Sequence, residues 1–160
     1  AMAHLEIERK FLLKNEGWRS EISRSLEMKQ GYLSSEPHCS IRIRTAGQDA
    51  WLNLKSATIG AQRHEFEYAV PLLEAELMLK TLGNGPLIEK TRHYVNYGFH
   101  LWEIDEFHGE NAGLIVAEIE LEAIDEAFES PTWLGQEVTS DIRYYNTLLA
   151  KHPYTTWKNP

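Results

Sequence analysis

Apolar and charged residues alternate with a period of two from one end of this 160-residue chain to the other. In a β-strand, residues i, i+2 and i+4 share one face, so the alternation predicts strands with one apolar and one charged face. Helical periodicity is scarce by comparison. We expect eight strands, near residues 4–13, 26–34, 38–46, 49–58, 63–71, 87–98, 100–109 and 113–122.

The connections between these strands are short and rich in turn-forming residues, as at Ser34–Pro37 and Gly109–Gly113. Short connections join antiparallel neighbours. Three helices are expected: one over about 15–24, one over Pro71–Gly83, and one beginning near Thr139.

The chain shows no low-complexity linker and no repeat, so one domain over residues 1–160 is expected. Eight strands with helices at the connections predict a mainly β (α+β) fold, an eight-stranded antiparallel β-barrel with a few peripheral helices.

Composition excludes several classes of protein. The chain carries 16 Lys+Arg against 24 Asp+Glu, a net charge of −8, which argues against a protein that coats nucleic acid with a basic surface. No apolar run has the length of a membrane span and no secretory signal is visible, so we expect a cytoplasmic protein with no membrane contact. Cys39 alone forms neither an internal disulfide nor a multi-thiolate zinc site.

The charged strand faces are grouped by sign. The acids are Glu6, Glu8, Glu65, Glu67, Glu103, Asp105, Glu118 and Glu120, and the bases are Lys10, Arg42, Arg44, Lys55, Lys90 and Arg92. Like charges two apart on one face repel unless opposite charge lies between them. A charged sheet face usually points to water, and periodicity alone leaves its direction open. The outward alternative is an ordinary barrel with an apolar cavity, which predicts Arg42, Arg44 and Lys90 in solvent.

Chemistry gives a reason for the charged face to point inward. Carboxylates from several strands offer the oxygen ligands that Mg²⁺ or Mn²⁺ prefers, and clustered Arg and Lys offer charge-assisted bonds to phosphate. These acids and bases together carry −2, which two divalent cations would change to +2. Such a site attracts a triphosphate and has the groups that phosphoryl transfer requires.

The order of these motifs resembles one known family. Glu6-Ile7-Glu8-Arg9-Lys10 is similar to the ExExK signature of the CYTH superfamily, the triphosphate tunnel metalloenzymes. The later motifs follow in the family's order over nearly the whole chain: Arg42-Ile43-Arg44, Lys55, Glu65-Phe66-Glu67, Lys90-Thr91-Arg92, Glu103-Ile104-Asp105, Glu118-Ile119-Glu120 and Arg143-Tyr144-Tyr145-Asn146. In the last of these, Tyr145 stands where Ser is common.

The resemblance implies a barrel whose charged face lines a tunnel, with activity on triphosphates that requires a divalent metal. Short chains that open with EIERKF most resemble the tripolyphosphatase-type members. We therefore expect hydrolysis of inorganic tripolyphosphate to pyrophosphate and phosphate, with two Mg²⁺ or Mn²⁺ ions.

Roles can be assigned to the motif residues as a hypothesis. The metal ligands would be Glu6, Glu8, Glu118 and Glu120, and the phosphate ligands Lys10, Arg42, Arg44, Lys55, Lys90 and Arg92. Glu8 would help to activate water, and Lys55 or Lys90 would act on the leaving phosphate. Four further acids either orient these cations or join the metal shell: Glu65, Glu67, Glu103 and Asp105.

Alternative functions remain open at this point. The chain could be a class IV adenylyl cyclase or a thiamine or nucleoside triphosphatase, because related folds carry different activities. It could also be a non-catalytic barrel that binds polyphosphate or a nucleotide. Exposed strand edges could pair two copies into a homodimer.

Overall fold

The computed structural model describes residues 7–57 and 64–158, so the predicted metal ligand Glu6 lies outside the described residues. The strands are β1 (Ile7–Leu13), β2 (Ile22–Glu36), β3 (Cys39–Ala46), β4 (Asp49–Ser56), β5 (Glu65–Ala69), β6 (Ile88–Tyr97), β7 (His100–Phe107), β8 (Ile115–Leu121) and β9 (Leu134–Glu137). The α-helices are α1 (Leu72–Leu82) and α2 (Asn146–Lys151). Short 3₁₀ helices cover Gly17–Glu21, Gly109–Asn111, Ile142–Tyr144 and Tyr154–Thr156.

The prediction of a mainly β, antiparallel fold is confirmed, with one strand more than expected among the described residues. Strands β1 to β8 correspond to the eight predicted strands. The additional strand β9 is four residues long and pairs with β1. Its sequence, Leu-Gly-Gln-Glu, is too short to show an alternation, so only the pairing partner reveals it.

The first and third predicted helices are shorter than expected. The region of the first forms only the 3₁₀ turn Gly17–Glu21, where Asn15 Oδ1 accepts a hydrogen bond from the Gly17 N–H at 2.8 Å. Ile22 is already extended and begins β2. The third breaks at Tyr145, which has extended backbone angles (φ −74°, ψ 137°) between a 3₁₀ turn and α2.

Helix α1 forms where it was predicted. Pro71 precedes its first residue and Gly83 follows its last. A Cβ on Gly83 would collide with the backbone carbonyl of Leu79, so the helix end requires glycine for its close backbone approach. No helix among the described residues is long and apolar enough to cross a bilayer.

Contacts divide the chain into two compact units. Among the described residues, unit A contains residues 27–57 and 64–89, and unit B contains residues 7–26 and 90–158. In unit A the strands are paired in the order β5-β4-β3-β2. Helix α1 packs on one face of this sheet, where buried side chains form a small core: Ile43, Ala50, Ala75 and Leu79.

Unit B has the larger core. Its strands are paired in the order β2-β6-β7-β8-β1-β9, with β2 contributing its first residues. One face of this sheet is apolar and fully covered, with Trp18, Trp102 and Ile104 at 0% exposure and Trp133 at 1%. Burial of such large side chains contributes roughly 25 cal/mol per Å² of apolar surface removed from water. The opposite face of the sheet carries the charged residues.

Candidate active site

The charged face of unit A is assembled by the strand register. Arg42 lies directly opposite Asn53, and Arg44 lies directly opposite Trp51. Lys55 lies opposite Glu65 on β5. Directly opposed residues share a face, so the alternation read from the sequence places all of these side chains on the side of the sheet away from the unit A core.

Two amides on this face were missed by the sequence analysis, which considered only ionisable residues. Asn53 is 2% exposed, and its Nδ2 donates to Glu65 Oε1 at 2.7 Å and to Glu67 Oε2 at 3.2 Å. It therefore holds both acids of the β5 motif in place. Gln30 is 3% exposed and lies opposite Arg44. The signal that could have found Asn53 is its spacing of two from Lys55.

The unit A face contains buried N–H donors that lack an acceptor. Within the part of the chain that the structure describes, Arg42 Nε and Gln30 Nε2 are buried and have no hydrogen-bond partner. A buried donor without a partner is destabilising by about 1–3 kcal/mol. A bound ligand or a water molecule can supply acceptor oxygens to such donors.

The charged face of unit B is centred on Asp105, whose side chain is 3% exposed. Asp105 Oδ2 accepts from Lys90 Nζ at 2.8 Å, and Arg92 donates to both carboxylate oxygens at 2.8 and 3.0 Å. Arg92 Nη1 also lies 2.8 Å from Glu103 Oε2. One buried carboxylate thus fixes two of the predicted phosphate ligands.

Burial and charge shift the pKa values of this group in directions that follow from the contacts. Burial raises the pKa of Asp105, but Lys90 and Arg92 outweigh it, and the pKa lies below its ordinary value. Burial lowers the pKa of Lys90 despite the opposing charge of Asp105, and the positive charge of Arg92 lowers it further. Burial raises the pKa of Glu103 despite the opposing charge of Arg92.

Lys10 lies on the same face of unit B, opposite Glu118. Its Nζ is 3.5 Å from Glu118 Oε1 and 3.4 Å from the backbone oxygen of Tyr144. The side chains of Lys10 and Glu118 are 15% and 18% exposed. The structure thus brings together the last residue of the ExExK motif and the first acid of the β8 motif.

Acids on β8 lie directly opposite acids on both of its neighbouring strands, β1 and β7. Glu8 on β1 lies directly opposite Glu120, and Glu103 on β7 lies directly opposite Glu118. Opposed like charges are destabilising, and a cation relieves the repulsion. Carboxylate oxygens are the donor type that Mg²⁺ and Mn²⁺ prefer, so the residues fit a divalent metal in kind. Within residues 7–57 and 64–158, however, no three His, Cys, Asp or Glu side chains converge on one point.

The alternative in which the charged strand face points to solvent is wrong for Lys90. That lysine is 3% exposed, whereas an ordinary barrel with a charged exterior predicts it in solvent. Arg42 and Arg44 are half-buried. A charge is not buried without partners, and Asp105 is the partner of Lys90.

Comparison with known proteins identifies the family. A model of the CYTH domain matches residues 4–154. A protein named inorganic triphosphatase from Acetivibrio thermocellus is 39% identical over 153 residues, 96% of this chain and 97% of its own. A second of that name, from Nitrosomonas europaea, is 35% identical over 149 residues, 91% of this chain and 96% of its own.

A solved structure agrees with these sequence matches. The crystal structure of an inorganic triphosphatase superposes with a TM-score of 0.71 at 34% identity, covering 94% of this chain and 97% of the other. The sequence match, the charged strand faces and the superposition agree, and this chain belongs to the CYTH domain family.

Proposed function

We propose that this protein hydrolyses inorganic tripolyphosphate to pyrophosphate and phosphate with the help of a divalent metal. The observation that carries the proposal is the pair of buried donors on the unit A face, Arg42 Nε and Gln30 Nε2, which have no acceptor among the described residues. Phosphate oxygens are acceptors with the charge that an arginine-rich face favours. The relatives named inorganic triphosphatase support the choice of substrate.

We also propose that residues 1–160 form a single CYTH domain. Support comes from the family model, which spans residues 4–154 and so includes parts of both units. The proposed phosphate ligands are Lys10, Arg42, Arg44, Lys55, Lys90 and Arg92. Their charges would neutralise a polyanion whose oxygens gain charge in the transition state.

The metal would be held by Glu8, Glu118 and Glu120, with Glu6 as a further ligand. Support comes from the placement of Glu8 directly opposite Glu120. When bound, a divalent cation neutralises phosphate oxygens and lowers the pKa of water. We propose Mg²⁺ or Mn²⁺ and two ions, because the ligands are all carboxylates and exceed what one ion needs.

Lys90 and Lys55 would stabilise the leaving phosphate, and Glu8 would orient the attacking water. Asp105 holds the ammonium of Lys90 at 2.8 Å, which leaves its other N–H groups for phosphate oxygens. A fixed donor stabilises developing charge without reorganising during the reaction. Asp105 and Glu103 would serve as positioning residues for Lys90 and Arg92, and Glu65 and Glu67 would lie beside the phosphate ligands of unit A.

A substrate panel tests the proposal. The protein is incubated with tripolyphosphate, ATP or thiamine triphosphate plus Mg²⁺ or Mn²⁺, and phosphate, pyrophosphate and cyclic AMP are quantified. We expect phosphate and pyrophosphate in equal amounts from tripolyphosphate as the fastest reaction. Cyclic AMP as the main product, or tripolyphosphate that survives overnight, would contradict the proposal.

Matched variants test the residue roles. Lys90→Met should lower kcat/KM for tripolyphosphate by about 10²–10³-fold, the usual effect of removing a donor to developing charge. Lys80→Met, which removes an exposed cation on α1, is the control.

Glu8→Gln should abolish metal-dependent turnover, whereas the exposed α1 variant Glu76→Gln should not. Full activity of Glu8→Gln would exclude the metal assignment.

A further inference from the structure

The segment that follows β9 holds the backbone of Lys10. The Lys10 N–H donates to Thr139 Oγ1 at 3.0 Å, and the Lys10 carbonyl accepts from the Val138 N–H at 2.8 Å. Both backbone groups of Lys10 therefore point away from β8. Lys10 and Glu118 are therefore a non-hydrogen-bonded pair of the antiparallel ladder. The side chains of such a pair lie closer together than those of a hydrogen-bonded pair.

The same segment reaches the ammonium group. Among the described residues, Lys10 Nζ contacts oxygen atoms of Glu118 and of the Tyr144 carbonyl, and both contacts are long, at 3.5 and 3.4 Å. A third contact is aromatic, because Nζ lies 5.1 Å from the centre of the Tyr145 ring. An ammonium within about 6 Å of a ring centre is attracted by the negative face of the ring.

The Tyr145 ring is itself held at both ends. Its backbone is extended where the 3₁₀ turn meets α2, and its hydroxyl donates to the Thr139 carbonyl at 3.4 Å. Thr139 also contacts the Lys10 backbone, so the ring and the lysine share one anchor. The neighbouring Tyr144 ring packs instead on Trp157, with 5.2 Å between the ring centres. Tyr145 is therefore the aromatic side chain of this pair that contacts Lys10.

We propose that Tyr145 is a positioning residue that fixes the Lys10 ammonium beside Glu118 for phosphate binding. The inference rests on the proposed function, in which Lys10 is a phosphate ligand. Two long oxygen contacts leave a flexible lysine side chain poorly restrained, and the ring removes part of that freedom before the substrate arrives. Restraint before binding improves affinity more than it changes the chemical step.

Two substitutions separate the ring from the hydroxyl. Tyr145→Leu removes the π face but keeps an apolar side chain, whereas Tyr145→Phe keeps the ring and removes the weak hydrogen bond to Thr139. The proposal predicts about a two- to fivefold rise in the tripolyphosphate dissociation constant and in KM for Tyr145→Leu, with kcat unchanged. Tyr145→Phe should raise both constants less than Tyr145→Leu does, because it loses only the 3.4 Å hydrogen bond to Thr139 and keeps the ring.

Two further measurements show whether the effect passes through Lys10. In a Lys10→Met background, Tyr145→Leu should have no additional effect on the dissociation constant measured by calorimetry, because the two changes remove one interaction. In NMR spectra, the Lys10 ε-methylene protons should show an upfield ring-current shift that Tyr145→Phe keeps and Tyr145→Leu abolishes. This shift reports the contact without requiring any catalytic activity.

The outcomes distinguish the inference from the proposed function. An unsubstituted protein that binds tripolyphosphate but does not hydrolyse it contradicts the proposed function, while the binding and NMR results still decide the role of Tyr145. Equal loss in Tyr145→Leu and Tyr145→Phe, additive effects in the Lys10→Met background, or a fall in kcat alone would overturn the inference. So would a protein that does not bind tripolyphosphate.

Discussion

Asp105 shows how much one residue contributes to the charged face of unit B. It is buried on a sheet face where it forms ion pairs with both neighbouring cations, Lys90 and Arg92. The sequence could not reveal this role, because Asp105 and Glu103 occupy equivalent positions in the alternation. Their difference comes from depth: the side chain of Asp105 is 3% exposed and that of Glu103 is 33% exposed. How deeply each side chain is buried depends on contacts with residues that are distant in the sequence.

Replacing Asp105 should be strongly destabilising. Asp105→Asn keeps the shape but leaves the buried Lys90 without its carboxylate partner and Arg92 with Glu103 alone, so the free energy of unfolding should fall by about 3–5 kcal/mol. Urea denaturation of the metal-free protein measures the loss. Asp125→Asn, at an exposed position, should unfold at the same urea concentration as the unsubstituted protein. A loss below 1 kcal/mol in Asp105→Asn would contradict the importance of the buried pairs.

Glu106 should make stability depend on pH in the acidic range. The Arg19 guanidinium, which donates to both Glu106 oxygens at 3.2 and 3.1 Å, holds the pKa of Glu106 down at about 2. The carboxyl has its ordinary pKa of 4.5 when unfolded, so its stabilising effect is complete above that pH. The effect is lost as the pH falls from there towards 2.

A variant isolates this contribution. At pH 6, Glu106→Gln should be about 1 kcal/mol less stable than the unsubstituted protein, a typical upper value for a partly exposed pair. At pH 3 the difference should be smaller, because protonation of the unfolded state has already removed part of the advantage. Chemical denaturation at both pH values gives the comparison. A difference that grows on acidification would contradict the sign of the pKa shift.

At the scale of elements, β1 is restrained on both edges. It pairs with β8 along six residues from Ile7 to Leu12, and with β9 through Phe11 and Leu13. The β1–β8 pairing agrees with the predicted set of metal ligands, which combined acids of the first and the eighth strand. The β9 pairing could not be predicted, because four residues of mixed character contain no periodic signal.

The close approach of β9 to β1 requires glycine at position 135. A Cβ there would lie 2.7 Å from the Leu12 backbone oxygen, and a backbone atom cannot move aside as a side-chain tip can. Gly135→Ala should therefore displace β9 and lower the free energy of unfolding by about 1–3 kcal/mol. Gln136→Ala, at an exposed position on the same strand, is the control. Equal melting temperatures for the two variants would show that β9 adapts without strain.

At the scale of the molecule, each unit has one covered apolar sheet face and one charged face opposite it. The sequence predicted this division of faces well, because alternation reports it directly. It did not predict the neutral amides Gln30 and Asn53, which look like ordinary solvated strand residues until their burial is known. Polar residues without charge are therefore the part of the candidate site that sequence patterns miss.

Opposed acids across β1 and β8 should make global stability depend on metal. A divalent ion that binds only the folded state at about 100 times its dissociation constant should add about 2.7 kcal/mol to the free energy of unfolding. For a chain of this size that raises the melting temperature by about 5–10 °C. Glu8→Gln should lose most of this rise. A melting temperature that is the same with Mg²⁺, with Mn²⁺ and with a chelator would contradict a metal site at these residues.

The position of β1 also determines when the candidate site can exist during biosynthesis. Ile7 on β1 pairs with Leu121 on β8, so β1 can form this pairing only after the ribosome has made more than a hundred further residues. Loops of this length close slowly, and contacts of high sequence separation delay folding. A ribosome-bound chain that lacks β8 carries the ExExK motif without Glu118 or Glu120. The nascent protein should therefore be unable to hold a divalent metal between the acids of β1 and β8 until β8 has left the ribosome.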